Sequence, residues 1–148
     1  MKIVVCVKQV PDTWSEKKLD PATKTLDRAS VDGVMNELDE YAVEEALKIA
    51  EATSGEVTVL SMGPSQSTET IRKALSMGAD AGIHVQDDGL AGSDAVATSL
   101  AIATVLKDRG ADLILFGSES TDARMSVVPA MVAERLGLPQ LTFANKVE

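Results

Sequence analysis

Four short apolar runs recur along the chain with almost no polar alternation: Ile3-Val4-Val5-Cys6-Val7, Val57-Thr58-Val59-Leu60, Ile83-His84-Val85 and Leu113-Ile114-Leu115-Phe116. A strand with one face in water alternates apolar and polar positions, so runs without that alternation predict strands covered on both faces. Between the runs the apolar spacing becomes helical. Residues 39–53 place Ala42, Val43, Ala46, Ile49 and Ala50 on one side and Glu44, Glu45, Lys48 and Glu51 on the other. Glu44 and Lys48 sit at a supportive four-residue spacing. A second helix is predicted over 68–77, with Ser67 as its cap, Glu69 in its first turn and Gly78 as a left-handed stop. A third begins at the Ser93-Asp94 cap and ends near Arg109-Gly110. A fourth covers 126–136, with Pro129 in its first turn and Gly137 ending it before Pro139. The resulting β-α-β-α-β-α-β-α order, with short links, predicts an α/β fold: a parallel sheet with helices on both faces and right-handed crossovers.

Two stretches depart from that repeat. Segment 11–35 is polar, and Asp20-Pro21-Ala22-Thr23 is a turn signal between Lys17-Lys18-Leu19 and Thr25-Leu26-Asp27. It predicts a small exposed hairpin between the first strand and the first helix, and a link of that length is usually functional. The tail Leu141-Thr142-Phe143-Ala144-Asn145-Lys146-Val147 alternates like a further strand. A final strand left incomplete there predicts an unpaired apolar edge beside the fourth run.

Composition narrows the function. With 148 residues and 45% apolar content the chain holds one core, so residues 1–148 are expected to form a single domain. A net charge of -9 argues against a surface that tracks nucleic-acid phosphates, and 3% aromatic content removes a stacking platform for single strands. One cysteine and one histidine leave too few ligands for a disulfide or a structural zinc cluster, which suits a reducing compartment. The N-terminal apolar run is interrupted by Lys2 and Lys8, too short for membrane insertion or an export signal, so a cytoplasmic location is expected.

In an open parallel sheet, ligands sit beyond the carboxyl ends of the strands, where strand order reverses. The fourth run is followed by Gly117-Ser118-Glu119-Ser120-Thr121-Asp122-Ala123-Arg124-Met125-Ser126, which leads into the fourth helix. Small and hydroxyl residues there let backbone N–H groups approach a phosphate at a helix N-terminus. The same pattern also describes a turn that merely caps a helix, and it carries neither P-loop nor GxGxxG spacing. Asp122 either bonds a ribose hydroxyl or stabilises its own turn. Met62-Gly63-Pro64 either lies against a planar group or is an ordinary turn, and Asn36 either caps the first helix or contacts a ligand. Cys6 and the six methionines read as core packing, and His84 stands in a strand without a second ligand nearby. No nucleophile–base pair, paired-carboxylate site or metal constellation emerges, so an enzyme with its own catalytic residues is not expected.

Several motifs occur together and in order: Val5-Cys6-Val7-Lys8-Gln9-Val10-Pro11-Asp12 and Asn36-Glu37-Leu38-Asp39-Glu40-Tyr41-Ala42-Val43-Glu44-Glu45-Ala46-Leu47. They continue through Met62-Gly63-Pro64, Glu69-Thr70-Ile71-Arg72-Lys73-Ala74-Leu75-Ser76-Met77-Gly78-Ala79-Asp80 and Ile83-His84-Val85 to 117–122 and Ala133-Glu134-Arg135-Leu136-Gly137-Leu138-Pro139-Gln140. This series resembles the β subunit of electron transfer flavoproteins, the FixA type, over nearly the whole chain. The resemblance implies a Rossmann-like, adenine nucleotide alpha hydrolase-like domain. It also implies a structural AMP or a second FAD on this subunit, and an α subunit carrying most contacts to the redox FAD. The assembled carrier would move electrons from dehydrogenases to a quinone-linked acceptor.

By position, the implied nucleotide contacts are Cys6 through its backbone, Asn36, Glu37, Leu38, Asp39, Met62, Gly117, Ser120, Asp122, Ala123, Met125, Ser126, Val127 and Val128. The family commonly carries Asn-Pro-Phe at Asn36-Glu37-Leu38, and Gln-Thr-Gly or Gln-Val-Gly at Val127-Val128-Pro129. Here Pro129 has no N–H and the two valines no amide, which leaves fewer phosphate donors. Family members also continue into a Leu-Arg-Leu-Asn-Glu-Pro-Arg-Tyr type region that docks dehydrogenases. That region is absent here, as expected of a fragment or a reduced relative. The competing expectation is a stand-alone adenine-nucleotide sensor resembling universal stress proteins, which favour a Gly-x-x-Gly spacing that this loop lacks. A third is an assembly fragment with no ligand.

Overall fold

A computed structural model describes residues 1–147. Its main sheet has four strands, β1 (Lys2–Cys6), β4 (Glu56–Met62), β5 (Ala81–Val85) and β6 (Leu113–Phe116), all parallel in the order β5-β4-β1-β6. In β1, Ile3 pairs with Val57 and Leu113, and Cys6 with Leu60 and Phe116. The central strand thus lies among apolar neighbours on both sides. Alternate residues explain why the runs carry no polar stripe. Ile3, Val5, Val7, Val57 and Val59 pack on one face with Ala42, Val43, Ala46 and Ala50 of α1 (Glu37–Thr53) and Ala74 of α2 (Thr68–Met77). Val4, Cys6 and Leu60 pack on the other with Ile102, Ala103 and Leu106 of α3 (Ala95–Leu106) and Val132 of α4 (Val128–Leu136). Each face buries its own cluster.

The polar insertion is a ribbon. Strands β2 (Gln9–Pro11) and β3 (Gly33–Met35) pair antiparallel at its base, and Leu19 bridges Leu26 further out. Asp20 turns the tip by accepting from the N–H groups of Ala22 and Thr23 at 2.7 and 3.1 Å. The hairpin expected around Asp20–Pro21–Ala22–Thr23 is therefore present, and its base begins at Gln9, two residues before the predicted segment, and closes at its end, Met35.

Four details differ from the sequence expectation. Ser67 does not cap α2: a 3-10 turn, Ser65–Ser67, runs straight into the helix and leaves Ser67 in helical geometry with no capping bond. Helix α3 stops at Leu106, three residues before Arg109, and residues 107–109 form a turn into Gly110. Helix α4 begins at Val128 rather than Ser126, because Ser126 has a left-handed φ of 54° and cannot start a right-handed helix. The tail forms no strand. Leu141 is 97% and Phe143 74% exposed, and no ladder bond reaches them; alternation needs a neighbouring strand before it yields one. The sheet ends at β6 among the described residues. No helix of the described residues is long and apolar enough to cross a membrane.

Leu60 is 1% exposed and fills the cluster beneath α3. Leu60→Ala is expected to cost about 3 kcal/mol by leaving a cavity. Urea titration should show a lower midpoint at an unchanged m-value; an unaltered midpoint would contradict this packing.

Candidate functional site

The chain runs from β1 outward to β4 and β5, then returns across the sheet to β6 on the other side of β1. Strand order therefore reverses between β1 and β6, and the connections that leave their carboxyl ends run in opposite directions along the sheet. A cleft of about 370 Å³ opens at that point, within the usual range for small-molecule sites. Its apolar floor comes from Cys6, Leu60, Met62, Ile102 and Phe116, and its polar rim includes Lys8 and the 117–120 stretch after β6.

Two buried polar residues at the start of α1 hold this region together. Asn36, 0% exposed, donates from Nδ2 to the Glu119 carbonyl at 2.9 Å, and its Oδ1 accepts from the Thr121 N–H at 3.1 Å. Its own N–H donates to the Lys8 carbonyl at 2.9 Å. Its side chain does not cap α1, because both halves of the amide are committed to the loop. Asp39, 6% exposed, accepts from the Lys8 N–H at 2.8 Å and also faces the Gly117 N–H. A β-carbon at Gly117 would collide with the Asp39 carboxylate and the Leu38 carbonyl carbon, so glycine is required for this close approach.

Burial pushes the Asp39 carboxyl up to about 6, although hydrogen bonds from Asn36, Lys8 and Gly117 pull the other way. Asp122 behaves oppositely. Burial would raise it too, but hydrogen bonds from Ser120, Lys8 and Arg28 outweigh that and hold it well below the usual carboxylate range. The Lys8 ammonium lies 2.9 Å from Oδ1, and Arg28 of the ribbon donates to Oδ2 at 2.6 Å. The Ala123 N–H also donates to Oδ1 at 2.7 Å, so Asp122 stabilises its own turn. Burial, then the negative charge of Asp39, push the Cys6 thiol far up, which keeps it protonated.

The loop ahead of α4 is tightly turned: Arg124 and Ser126 both take left-handed φ, at 50° and 54°. Ser126 donates to Glu119 at 3.0 Å, and Arg124 lies 3.6 Å from the other Glu119 oxygen. Val127, at the N-cap of α4, offers no side-chain cap, and Pro129 sits in the first turn. The first-turn N–H groups are therefore left without a capping side chain. Thr121 Oγ1 is buried with no partner among the described residues.

Of the residues named from sequence, Cys6, Asp39, Met62, Gly117, Ser120, Ala123, Met125, Ser126 and Val128 line the cleft. Asn36, Glu37, Leu38, Asp122 and Val127 do not. Asn36 and Asp122 stand behind the wall and position it, while Glu37 is exposed and accepts from Thr13 at 3.3 Å. Sequence reasoning missed Lys8, although its place just after the central strand was a usable signal. It also missed Ser93 and Asp94, just ahead of α3, and Thr98 within it, which line the cleft as well. Arg28 had no local signal, lying 94 residues from Asp122. His84 is engaged by the Gly63 carbonyl at 3.0 Å.

The Asp39 environment predicts a pH signature. Below about pH 4 the carboxyl is protonated in folded and unfolded chains alike and adds no penalty. Between its ordinary 3.8 and about 6 the unfolded chain gives up the proton while the folded one keeps it. Stability then falls with rising pH, by about 3 kcal/mol in all, and levels off above about 6. Asp39→Asn should remove that decline, so the stability gap between variant and parent should close in the variant's favour from pH 4 to 6.5. Parallel denaturation curves across that range would show that Asp39 is not raised.

A model of the electron transfer flavoprotein domain matches residues 23–148. The electron transfer flavoprotein subunit beta of Mycobacterium bovis is 54% identical over 151 residues, covering 98% of this chain and 57% of that protein. The subunit of the same name from Clostridium acetobutylicum is 42% identical over 148 residues, covering 100% and 57%. Protein FixA of Azorhizobium caulinodans is 40% identical over 152 residues, covering 99% and 54%. The chain spans little more than half the length of these relatives. With the motif series, the parallel sheet and these matches in agreement, the chain belongs to the electron transfer flavoprotein family, among its beta subunits of the FixA type.

Proposed function

We propose that the cleft holds the adenylate part of AMP or FAD, and that this chain is the nucleotide-holding portion of an electron carrier completed by a flavin-bearing α subunit. The observation that carries the reading is the cleft at the β1/β6 reversal, apolar within and bordered by Lys8 and the uncapped start of α4. A planar base suits the apolar floor made by Leu60, Met62, Ile102 and Phe116. Gly117 brings backbone close to the cleft without a side chain. A phosphate suits the rim, where Lys8 supplies positive charge and the first turn of α4 its N–H groups.

A bound flavin supplies one- and two-electron redox chemistry, whereas AMP is a structural ligand. The chain's own residues do the holding: Asn36 and Asp39 fix the loop, and Lys8 orients the anionic end. Cys6 stays a protonated thiol in the floor and is not primed as a nucleophile. Family membership supports the wider role, in which the assembled protein takes electrons from dehydrogenases and passes them to a quinone-linked acceptor.

Isothermal titration of the complete protein with AMP, ADP and FAD, with and without the α subunit, tests the proposal. At least one of the three is expected to bind, with adenosine weaker than AMP by about tenfold for the lost phosphate contacts. Absence of binding in both settings would overturn it.

A further inference from the structure

We propose that Arg28, which lies on the ribbon and not on the cleft wall, sets how strongly the cleft prefers an anionic ligand, by sharing Asp122 with Lys8. This rests on the adenylate reading of the cleft. The Asp122 side chain is 1% exposed, and a buried carboxylate needs a cation. Two converge on it, one on each oxygen: Lys8 at 2.9 Å and Arg28 at 2.6 Å. The trio carries one surplus positive charge. Lys8 is the member that borders the cleft; its side chain is 40% exposed, and it also reaches Ser120 Oγ at 3.4 Å. Arg28 stays outside that wall.

An anion entering beside Lys8 draws on the ammonium while Arg28 continues to hold Asp122. Without Arg28 the surplus vanishes. Asp122 and the incoming anion then compete for one ammonium, and a buried carboxylate in hydrogen-bond contact holds it more firmly. The neighbouring Glu119 and Arg124 face one another across 3.6 Å and offset each other, so they do not replace the lost charge. Arg28 is thus a positioning residue that acts through Asp122 on Lys8, and a neutral ligand in the same floor should not sense it. The coupling also joins the ribbon to the cleft across the sequence, since binding effects between two sites are reciprocal.

Titration of the complete protein, freed of bound nucleotide, with AMP and with adenosine separates charge from fit. Arg28→Gln should weaken AMP about fivefold and leave adenosine within about twofold. Arg28→Lys should restore most of the AMP affinity. On an Asp122→Asn background, where no buried charge needs holding, Arg28→Gln should no longer alter the AMP-to-adenosine ratio. Equal losses for both ligands, or the same Arg28 effect with and without the Asp122 charge, would overturn the coupling. Should the unmodified protein bind none of AMP, adenosine and FAD, the adenylate reading itself fails; adenosine binding with an unchanged ratio in Arg28→Gln defeats only the role of Arg28.

Discussion

Asn36 and Asp39 are polar, almost wholly buried, and separated by less than one turn at the start of α1. Polar groups removed from water must be hydrogen bonded within the protein, or the fold loses on the order of 1–3 kcal/mol for each. The partners they find lie on three of the segments that border the cleft: the link after β1 at Lys8, the end of β6 at Gly117, and the following loop at Glu119 and Thr121. Satisfying these two side chains therefore assembles the site. The parallel sheet puts the strand ends near one another, and the α1 terminus fixes how the loop crosses them. Removing the side chain of Gly117 from the chemistry is part of the same constraint, because the Asp39 carboxylate occupies the space a β-carbon would need.

Two buried carboxylates flank the cleft and respond to burial in opposite ways. Asp39 meets mainly neutral donors, the Asn36 amide and the Lys8 and Gly117 N–H groups, which do not offset the loss of water, and its carboxyl rises. Asp122 meets two full positive charges, which do offset it, and its carboxyl falls. The sign for stability differs accordingly: the contribution of Asp122 is present above the ordinary carboxylate range and is lost only as acid protonates the folded form, whereas ionised Asp39 opposes folding near neutrality. A site that retains Asp39 under that load does so for geometry, since a methyl or an aliphatic side chain could not accept the Lys8 and Gly117 N–H groups.

The architecture was legible because its signals are local and repeated. Continuous apolar strands, helices with periodic faces, and stops at Gly78 and Gly137 each depend on neighbours within a turn or a strand, and each appears in the fold. The loop after β6 was legible as a strand-to-helix turn for a similar reason, and its residues border the cleft. What escaped depends on pairings between distant segments. Asn36 looks like a helix cap in sequence, yet its amide bridges to residues more than 80 positions away. Asp122 looked like a residue that faces a ligand or its own turn; the turn bond is there, but burial by Lys8 and Arg28 decides its role. The tail shows the converse error: Leu141 and Phe143 alternate correctly for a strand, but alternation describes one side of a pairing and cannot supply the other.

The family resemblance implies an amide-bearing, glycine-containing sequence where this chain has Val127-Val128-Pro129, and the fold shows what these three residues offer here. Pro129 presets the first turn of α4 but contributes no donor, and Val127 leaves the N-cap without a side-chain oxygen. An anion at this terminus therefore meets fewer hydrogen-bond donors and relies more on charge. The charge at hand is Lys8, because Arg124 is turned toward Glu119 and Arg28 stays outside the wall. Binding that rests on charge is screened by salt and sensitive to whatever else claims the ammonium. In a donor-rich loop the partners of Asp122 would matter little to the ligand; in this one they set how much of Lys8 is left for it.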